Sequence, residues 1–180
     1  MPSPREPLNR QETFETSFRG FFADRFPPLH RYLSRISGDP ELAEDVAQET
    51  FVRLYRRGVM PDDPAAWLVS VANNLLRDEQ RKKSRRLRLI STGKSQPDDV
   101  GEAGGPEADL ILKERASLVR GVLDTMSQRE QQLLILHHEG YSYQEIAVAL
   151  GVAPTGVGTL LVRATAAFAR AFASRSHAPR

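Results

Sequence analysis

A cluster of basic residues stands out in the first half of the chain. Seven Lys and Arg residues accompany only two acids between Arg77 and Arg88. Cations at this density neutralise phosphates and give salt-dependent affinity for nucleic acid, although a solvated helix face has a similar composition. Amides and an acid on the same polar face are able to contact base edges, and these are Asn73, Asn74 and Asp78. The cluster therefore favours nucleic-acid binding without indicating a base sequence.

An acidic group lies upstream, with five acids and no base between Asp39 and Glu49. The helix dipole explains acids in a first helical turn. It does not explain Asp45, Gln48 and Glu49, which lie further along and share one face at spacings of three and four. Because such a face repels phosphate, it favours docking of a protein partner.

Short helices separated by a tight turn are predicted in the last third of the chain. A serine followed three residues later by glutamate forms a capping box at Ser127 and again at Ser142, and Gly140 and Gly151 are suited to end the two helices. A helix-turn-helix places its second helix in the DNA major groove, whereas a plain helical hairpin is the alternative. The residues expected to approach DNA are Pro154, Thr155, Gly156, Thr159 and Arg163.

Catalytic patterns are missing from the sequence. His137 and His138 lie at a predicted helix end and outside any HExxH pattern. The chain has no cysteine, which excludes disulfides and thiolate metal sites, and it has no nucleophile elbow. We therefore expect no enzyme, no metal and no cofactor.

The elements that must position these groups are helical, because apolar residues recur at helical spacing. The predicted fold is all-α, with two small helical domains joined by a flexible acidic linker, the second domain containing the helix-turn-helix. The domains cover residues 1–89 and 107–180, and the linker covers residues 90–106. No apolar run reaches the 18 to 20 residues of a membrane span, and the N-terminus lacks a signal-peptide core. We expect a cytoplasmic protein with no membrane partner.

Proline and glycine set the predicted helix boundaries in the first domain. A helix from about Asn9 to Arg25 should end at Pro27-Pro28, and a second should cover about Pro28–Ser37. Asp-Pro pairs at Asp39 and Asp63 should each cap and begin a further helix.

Three segments together resemble bacterial sigma factors of the extracytoplasmic-function group. They read DPELAEDVAQETFVRLYRR, AWLVSVANNLLRDEQRKKSRR and LDTMSQREQQLLILHHEGYSYQEIAVALGV, and the resemblance runs from about Phe14 to Phe172. It implies an initiation factor that binds core RNA polymerase and promoter DNA, with strand opening at the minus-ten element.

The resemblance also assigns roles to residues. The core-binding surface, facing the clamp coiled coil of the polymerase large subunit, is Asp45, Gln48 and Glu49. The minus-ten contacts are Asn74, Arg77, Asp78, Arg81, Lys82 and Arg85, with a base pocket at Gly58–Asp63. The minus-thirty-five contacts are Pro154, Thr155, Gly156, Thr159 and Arg163. The acidic linker would thread polymerase channels otherwise occupied by nucleic acid.

Two departures and two alternatives remain open. The family usually has a hydroxyl residue at Ala153 and basic residues at Gly158 and Leu160, so the base contacts of the upstream element are left unassigned. A stand-alone helix-turn-helix regulator would bind duplex DNA tightly without polymerase, and a sequestering protein would bind polymerase without directing transcription. The sequence also leaves open whether an anti-sigma factor binds the chain.

Overall fold

The computed structural model describes residues 10–90 and 106–176. These residues form seven α-helices and no strand, so the predicted all-α fold is confirmed for this part of the chain. The predicted linker falls almost entirely outside the described ranges. The helices are α1 (Arg10–Ser37), α2 (Pro40–Arg57), α3 (Pro64–Ile90), α4 (Pro106–Leu123), α5 (Gln128–His138), α6 (Tyr143–Leu150) and α7 (Pro154–Ser176).

Helix α1 continues through Pro27 and Pro28, so the predicted break at these prolines is wrong. A proline inside a helix removes one backbone hydrogen bond and costs about 3 kcal/mol. Here the helix packs into the same core on both sides of the prolines, through Phe21 before them and Leu29 and Leu33 after them. Tertiary packing thus overrides the local signal.

The predicted starts of α2 and α3 are confirmed. Asp39 Oδ1 accepts a hydrogen bond from the Leu42 N–H at 3.1 Å, and Asp63 Oδ1 accepts one from the Ala66 N–H at 3.0 Å. Both caps satisfy a backbone donor that the helix itself leaves unpaired. The proline that follows each aspartate occupies the first helical turn, where its missing N–H costs nothing.

The first unit is a bundle in which α2 packs against both α1 and α3. Aromatic rings fill the contact between α1 and α2. The ring centroids of Phe22 and Phe51 lie 4.9 Å apart and those of Phe18 and Tyr55 lie 5.2 Å apart, and both pairs are edge to face. Such pairs add to the stabilisation from buried area. The phenylalanine residues on this side of α1 therefore form a packing face.

The second unit consists of α4 to α7, with α7 packed against α4, α5 and α6. Its core contains fully or almost fully buried Leu136, Ile146, Val157 and Ala164. The two units also touch each other, because α6 packs against α3 and α5 contacts α1. Buried residues of both units belong to one continuous apolar cluster.

Two properties of the described ranges bear on membrane and metal binding. No single helix there is both long and apolar enough to cross a membrane. Helices α6 and α7 together have the length and composition of a membrane span, but the pair is bent by 91°. The same residues hold no group of three or more His, Cys, Asp or Glu side chains that could bind a metal ion.

Candidate nucleic-acid interface

The helix-turn-helix is built by a capping box and a left-handed glycine. The Ser142 Oγ accepts a hydrogen bond from the Glu145 N–H at 3.2 Å, and the Ser142 N–H donates to Glu145 Oε2 at 2.6 Å. Helix α6 ends at Gly151, whose φ of 63° is poorly tolerated by residues with a side chain. The chain then bends by 91° into α7. A perpendicular pair joined by three residues is the geometry of a DNA-reading helix-turn-helix.

The helix before this motif starts in the same way. Glu130 Oε2 accepts hydrogen bonds from the Ser127 Oγ at 2.6 Å and from the Ser127 N–H at 3.0 Å. Both bonds favour the ionised carboxylate, so they lower the pKa of Glu130 below its ordinary value. The predicted capping boxes are thus both confirmed, and they fix the start of α5 and α6.

The outer face of α7 carries the residues predicted to approach DNA. Val157, Leu161 and Ala164 are buried, which turns Pro154, Thr155, Thr159 and Arg163 to solvent and leaves Gly156 half-buried. A Cβ added at Gly156 would have no atom within 4 Å, so the backbone is open to close approach.

Sequence reasoning missed Val162, which is 70% exposed on this face. It lies beside Arg163 and outside the buried stripe of residues 157, 161 and 164, and this offset is the signal that could have identified it. An exposed valine on a recognition helix is suited to contact a thymine methyl group.

The basic face of α3 is exposed at the positions predicted to contact DNA. The six predicted residues all point to solvent, and they are Asn74, Arg77, Asp78, Arg81, Lys82 and Arg85. Their contacts are local: Lys82 Nζ lies 2.7 Å from Glu79 Oε1, and an Arg81 nitrogen lies 3.8 Å from Asp78 Oδ1. Exposed pairs of this kind contribute little energy, so the cations stay available to phosphate.

Asn73 does not belong to this face, and its assignment to the polar surface is wrong. The residue is buried, and its Oδ1 accepts a hydrogen bond from the Tyr32 Oη at 2.7 Å and one from Gln132 Nε2 at 3.3 Å. Burial also raises the pKa of Tyr32 above its ordinary value. Asn73 therefore holds α3 against α1 rather than reading bases.

The acidic face of α2 lies opposite its buried stripe. Asp45 and Gln48 are exposed, and Glu49 is half-buried with its Oε1 2.9 Å from the Arg53 Nε. Two exposed apolar residues extend this face, Val52 at 40% and Tyr55 at 52% exposure. Sequence reasoning missed them, although both lie outside the stripe of buried residues on α2. Charged and apolar groups together make a surface suited to a protein partner.

Comparison with known proteins matches both units. The family model of Sigma-70 region 2 matches residues 21–86, and that of Sigma-70, region 4, matches residues 117–167. The chain is 32% identical over 146 residues to the ECF RNA polymerase sigma factor EcfG of Rhodopseudomonas palustris, covering 76% of this chain and 73% of that protein. It is 29% identical over 139 residues to SigL of Mycobacterium tuberculosis, covering 75% and 77%.

The chain belongs to the ECF family of RNA polymerase sigma factors. The family is non-catalytic: its members bind core RNA polymerase and promoter DNA and set promoter specificity. The predicted function is thereby confirmed, and a stand-alone regulator is not favoured. The acidic face of α2 and the basic face of α3 both fall inside region 2 of this sigma factor, and the helix-turn-helix falls inside region 4.

A solved structure supports the fold of this sigma factor. The sigma factor RpoE of Bartonella quintana, determined in complex with the anti-sigma factor NepR, superposes with a TM-score of 0.66. The superposition covers 87% of this chain and 96% of RpoE at 19% sequence identity. At that identity the likeness concerns the arrangement of helices and not individual contacts.

Proposed function

We propose that three surfaces of this sigma factor divide the work of initiation. Residues 1–89 form the domain that binds polymerase and reads the minus-ten element, and residues 107–180 form the domain that reads the minus-thirty-five element. Residues 90–106 join them. The separation of an acidic face on α2 from a basic face on α3 within one unit carries this proposal, because the two faces suit partners of opposite charge.

The core-binding surface consists of Asp45, Gln48 and Glu49, and its partner is the clamp coiled coil of the polymerase large subunit. The exposed side chains of Val52 and Tyr55 continue this surface and supply apolar contact area. Polar groups at the rim with apolar groups beside them are typical of stable protein interfaces.

The minus-ten element is read by the exposed face of α3. Cations at Arg77, Arg81, Lys82 and Arg85 follow the backbone of the melted strand, and Asn74 with Asp78 contacts bases. The loop Gly58–Asp63 forms a pocket for a base flipped out of the stack, where the 57% exposed Val59 supplies an apolar wall.

The minus-thirty-five element is read by α7 in the major groove. Pro154, Thr155 and Gly156 bring the helix N-terminus to a phosphate, where backbone N–H groups and the helix dipole favour an anion. Thr159 and Arg163 face the base edges. These contacts take place in the cytoplasm, where an anti-sigma factor is a further possible partner.

The test is run-off transcription with purified core polymerase on genomic promoter fragments, together with two pairs of substitutions. Asp45→Lys with Glu49→Lys should weaken core binding at least about tenfold, because each reversal replaces attraction by repulsion. Arg81→Ala with Arg85→Ala should slow open-complex formation and lower the salt slope of DNA binding by about 0.7 for each phosphate that is no longer neutralised. Polymerase binding by this second pair should stay unchanged.

Matched controls use exposed residues outside the proposed surfaces. Glu15→Lys on α1 controls for charge reversal, and Arg19→Ala with Arg170→Ala controls for the removal of two arginines. Equal reduction of core binding and of strand opening in both test variants would contradict the proposed division of labour. Failure to initiate at every genomic fragment would contradict the proposed reading of promoter elements as a whole.

A further inference from the structure

The helix-turn-helix lacks most of the side chains that usually read bases. From Glu139 to Val162 the chain contains no Lys and no Arg, so Arg163 is the first cation along α7. Helix α7 also contains no Asn, Gln, Asp or Glu. In the major groove, Arg or Lys identifies guanine, Asn or Gln identifies adenine, and Asp or Glu identifies cytosine. The part of α7 that precedes Arg163 has none of these means of recognition.

The two positions at which the family usually carries a basic residue do not replace them. Gly158 has no side chain, and a Cβ added there would lie 3.6 Å from the Tyr143 ring. Leu160 is half-buried and packs against the apolar core. Neither position offers a side-chain hydrogen bond to a base edge, so selection of bases must come from other groups on α7.

Helix α7 presents methyl groups to solvent instead. Thr155, Thr159 and Val162 are exposed, and their spacings of four and three residues place them on one face of the helix. Val162 is 70% exposed, more than any other large apolar residue that the structure describes. A β-branched residue at an exposed helix position contributes neither packing nor helix propensity, so folding does not account for it. We call these three residues the methyl face.

The chemistry of the methyl face matches thymine. Among the four bases of unmodified DNA, thymine alone presents a methyl group in the major groove, and the methyl groups of threonine and other apolar side chains contact it. Thr155 and Val162 lie about 10 Å apart along the helix axis, which corresponds to about three base-pair steps of about 3.4 Å. The methyl face is therefore long enough to contact two or three neighbouring thymines.

We propose that this sigma factor selects its minus-thirty-five element through thymine methyl groups, with Val162 as the principal specificity residue. The element then contains a short run of A·T pairs whose thymines face α7, and Arg163 beside the methyl face allows at most one neighbouring guanine to be read. Apolar contact provides this selectivity, so it depends little on salt, unlike phosphate contacts. The inference rests on the proposed reading of this element by α7 and names the bases that the helix selects.

The first experiment is a selection from randomised duplex DNA by this sigma factor bound to core polymerase. Thr159→Arg places a guanine-reading side chain at the centre of the methyl face, so the block of bases whose preference changes in this variant is the block that α7 reads. In the wild-type protein that block should show thymine enriched at two or three neighbouring positions. Enrichment of guanine or cytosine at those positions would overturn the inference.

The second experiment replaces thymine by deoxyuridine, which removes the methyl group and nothing else. Each contacted thymine that is replaced should weaken binding of the selected duplex by about fourfold, the value of one buried methyl group. The ratio of affinities for the thymine and uracil duplexes should be the same at low and high salt. Equal affinity for the two duplexes would overturn the inference.

Val162→Ala assigns the effect to the proposed residue. In this variant one thymine should lose most of its advantage over deoxyuridine, because its partner side chain is gone. Val148→Ala is the matched control, since Val148 lies on α6 outside the methyl face and is 48% exposed; it should keep the wild-type ratio of affinities. Both valines are exposed, so neither substitution should lower Tm. An unaltered ratio in Val162→Ala would contradict the role of this residue.

The readouts separate this inference from the proposed function. If Thr159→Arg changes no block of the selected sequences, α7 does not read DNA bases, and the proposed minus-thirty-five contacts are contradicted together with the inference. If Thr159→Arg changes a block that is not rich in thymine, or one that tolerates deoxyuridine, α7 still reads the element and only the thymine specificity is contradicted.

Discussion

Replacing Asn73 by alanine should destabilise the protein without affecting the DNA-reading face beside it. The side-chain oxygen of Asn73 is the acceptor for the hydroxyl of Tyr32, which is fully buried. Truncation removes a 2.7 Å hydrogen bond worth about 1 kcal/mol and leaves the hydroxyl without a partner, which costs a further 1 to 3 kcal/mol or so. The longer bond from Gln132, at 3.3 Å, adds little.

The expected reduction is therefore about 2 to 4 kcal/mol of unfolding free energy. For a chain of 180 residues each kcal/mol lowers Tm by about 2 to 4 °C, so the midpoint should fall by about 10 °C. Urea titration with tryptophan fluorescence measures the free energy directly. Trp67 is the only tryptophan of the chain and lies on the same helix, α3.

A double-mutant cycle measures the energetic coupling between the Tyr32 hydroxyl and Asn73. Tyr32→Phe alone should cost only about 1 kcal/mol, because Asn73 keeps its bond from Gln132. In the Tyr32→Phe background Asn73→Ala should cost about 2 to 4 kcal/mol less than in the wild type, since neither the hydrogen bond nor an unpaired hydroxyl remains. Equal costs in the two backgrounds would refute the reasoning.

Asn74 provides the matched control for this prediction. It is the next residue on α3 and is exposed, and its Oδ1 accepts only a local hydrogen bond from an Arg77 nitrogen at 3.2 Å. Asn74→Ala should change stability by less than about 0.5 kcal/mol and should weaken promoter opening. Asn73→Ala would then lower stability alone, and Asn74→Ala would impair promoter opening alone.

Two further predictions concern the caps and the recognition helix. Hydrogen bonds with Ser127 lower the pKa of Glu130, so the carboxylate stabilises the folded protein above the ordinary carboxyl pKa, and this stabilisation is lost as pH falls through the folded value. Glu130→Gln keeps the capping box and should therefore reduce the fall in Tm between pH 6 and 3 that thermal denaturation measures. An unchanged dependence of Tm on pH would contradict this prediction. Gly156→Ala should raise Tm by about 2 to 4 °C, because the added Cβ meets no atom within 4 Å, yet weaken binding to a minus-thirty-five duplex. Gly158→Ala, whose Cβ would meet Tyr143 at 3.6 Å, is the stability control, and unaltered duplex binding by Gly156→Ala would argue against close backbone approach.

Local chemistry was sufficient to predict where most helices begin and end. Aspartate or serine caps, proline in the first turn and glycine after the last turn each act within a few residues, and all four capped starts at Asp39, Asp63, Ser127 and Ser142 were predicted correctly. The exposed positions of the candidate DNA-reading residues follow from the same periodicity. These features depend on neighbours in sequence and not on the rest of the fold.

Three other features depend on distant partners and escaped prediction. The continuation of α1 through Pro27 depends on packing against the core on both sides of this proline. The burial of Asn73 depends on Tyr32, which lies 41 residues away. The pairing of Glu139 depends on arginines more than 100 residues away. An acid at a helix C-terminus contradicts the dipole rule, and this conflict is the one local sign that Glu139 has a distant partner.

The contact between the two units combines apolar packing with a buried charge. Apolar residues of both units form one continuous cluster, and such contacts favour association without selecting a register. The carboxylate of Glu139 adds little net stability, because its desolvation offsets much of its attraction to Arg31 and Arg35 of α1. It does select geometry, since only one placement of α5 on α1 gives the buried charge both partners. An entirely apolar contact would hold region 4 against α3 without that selectivity.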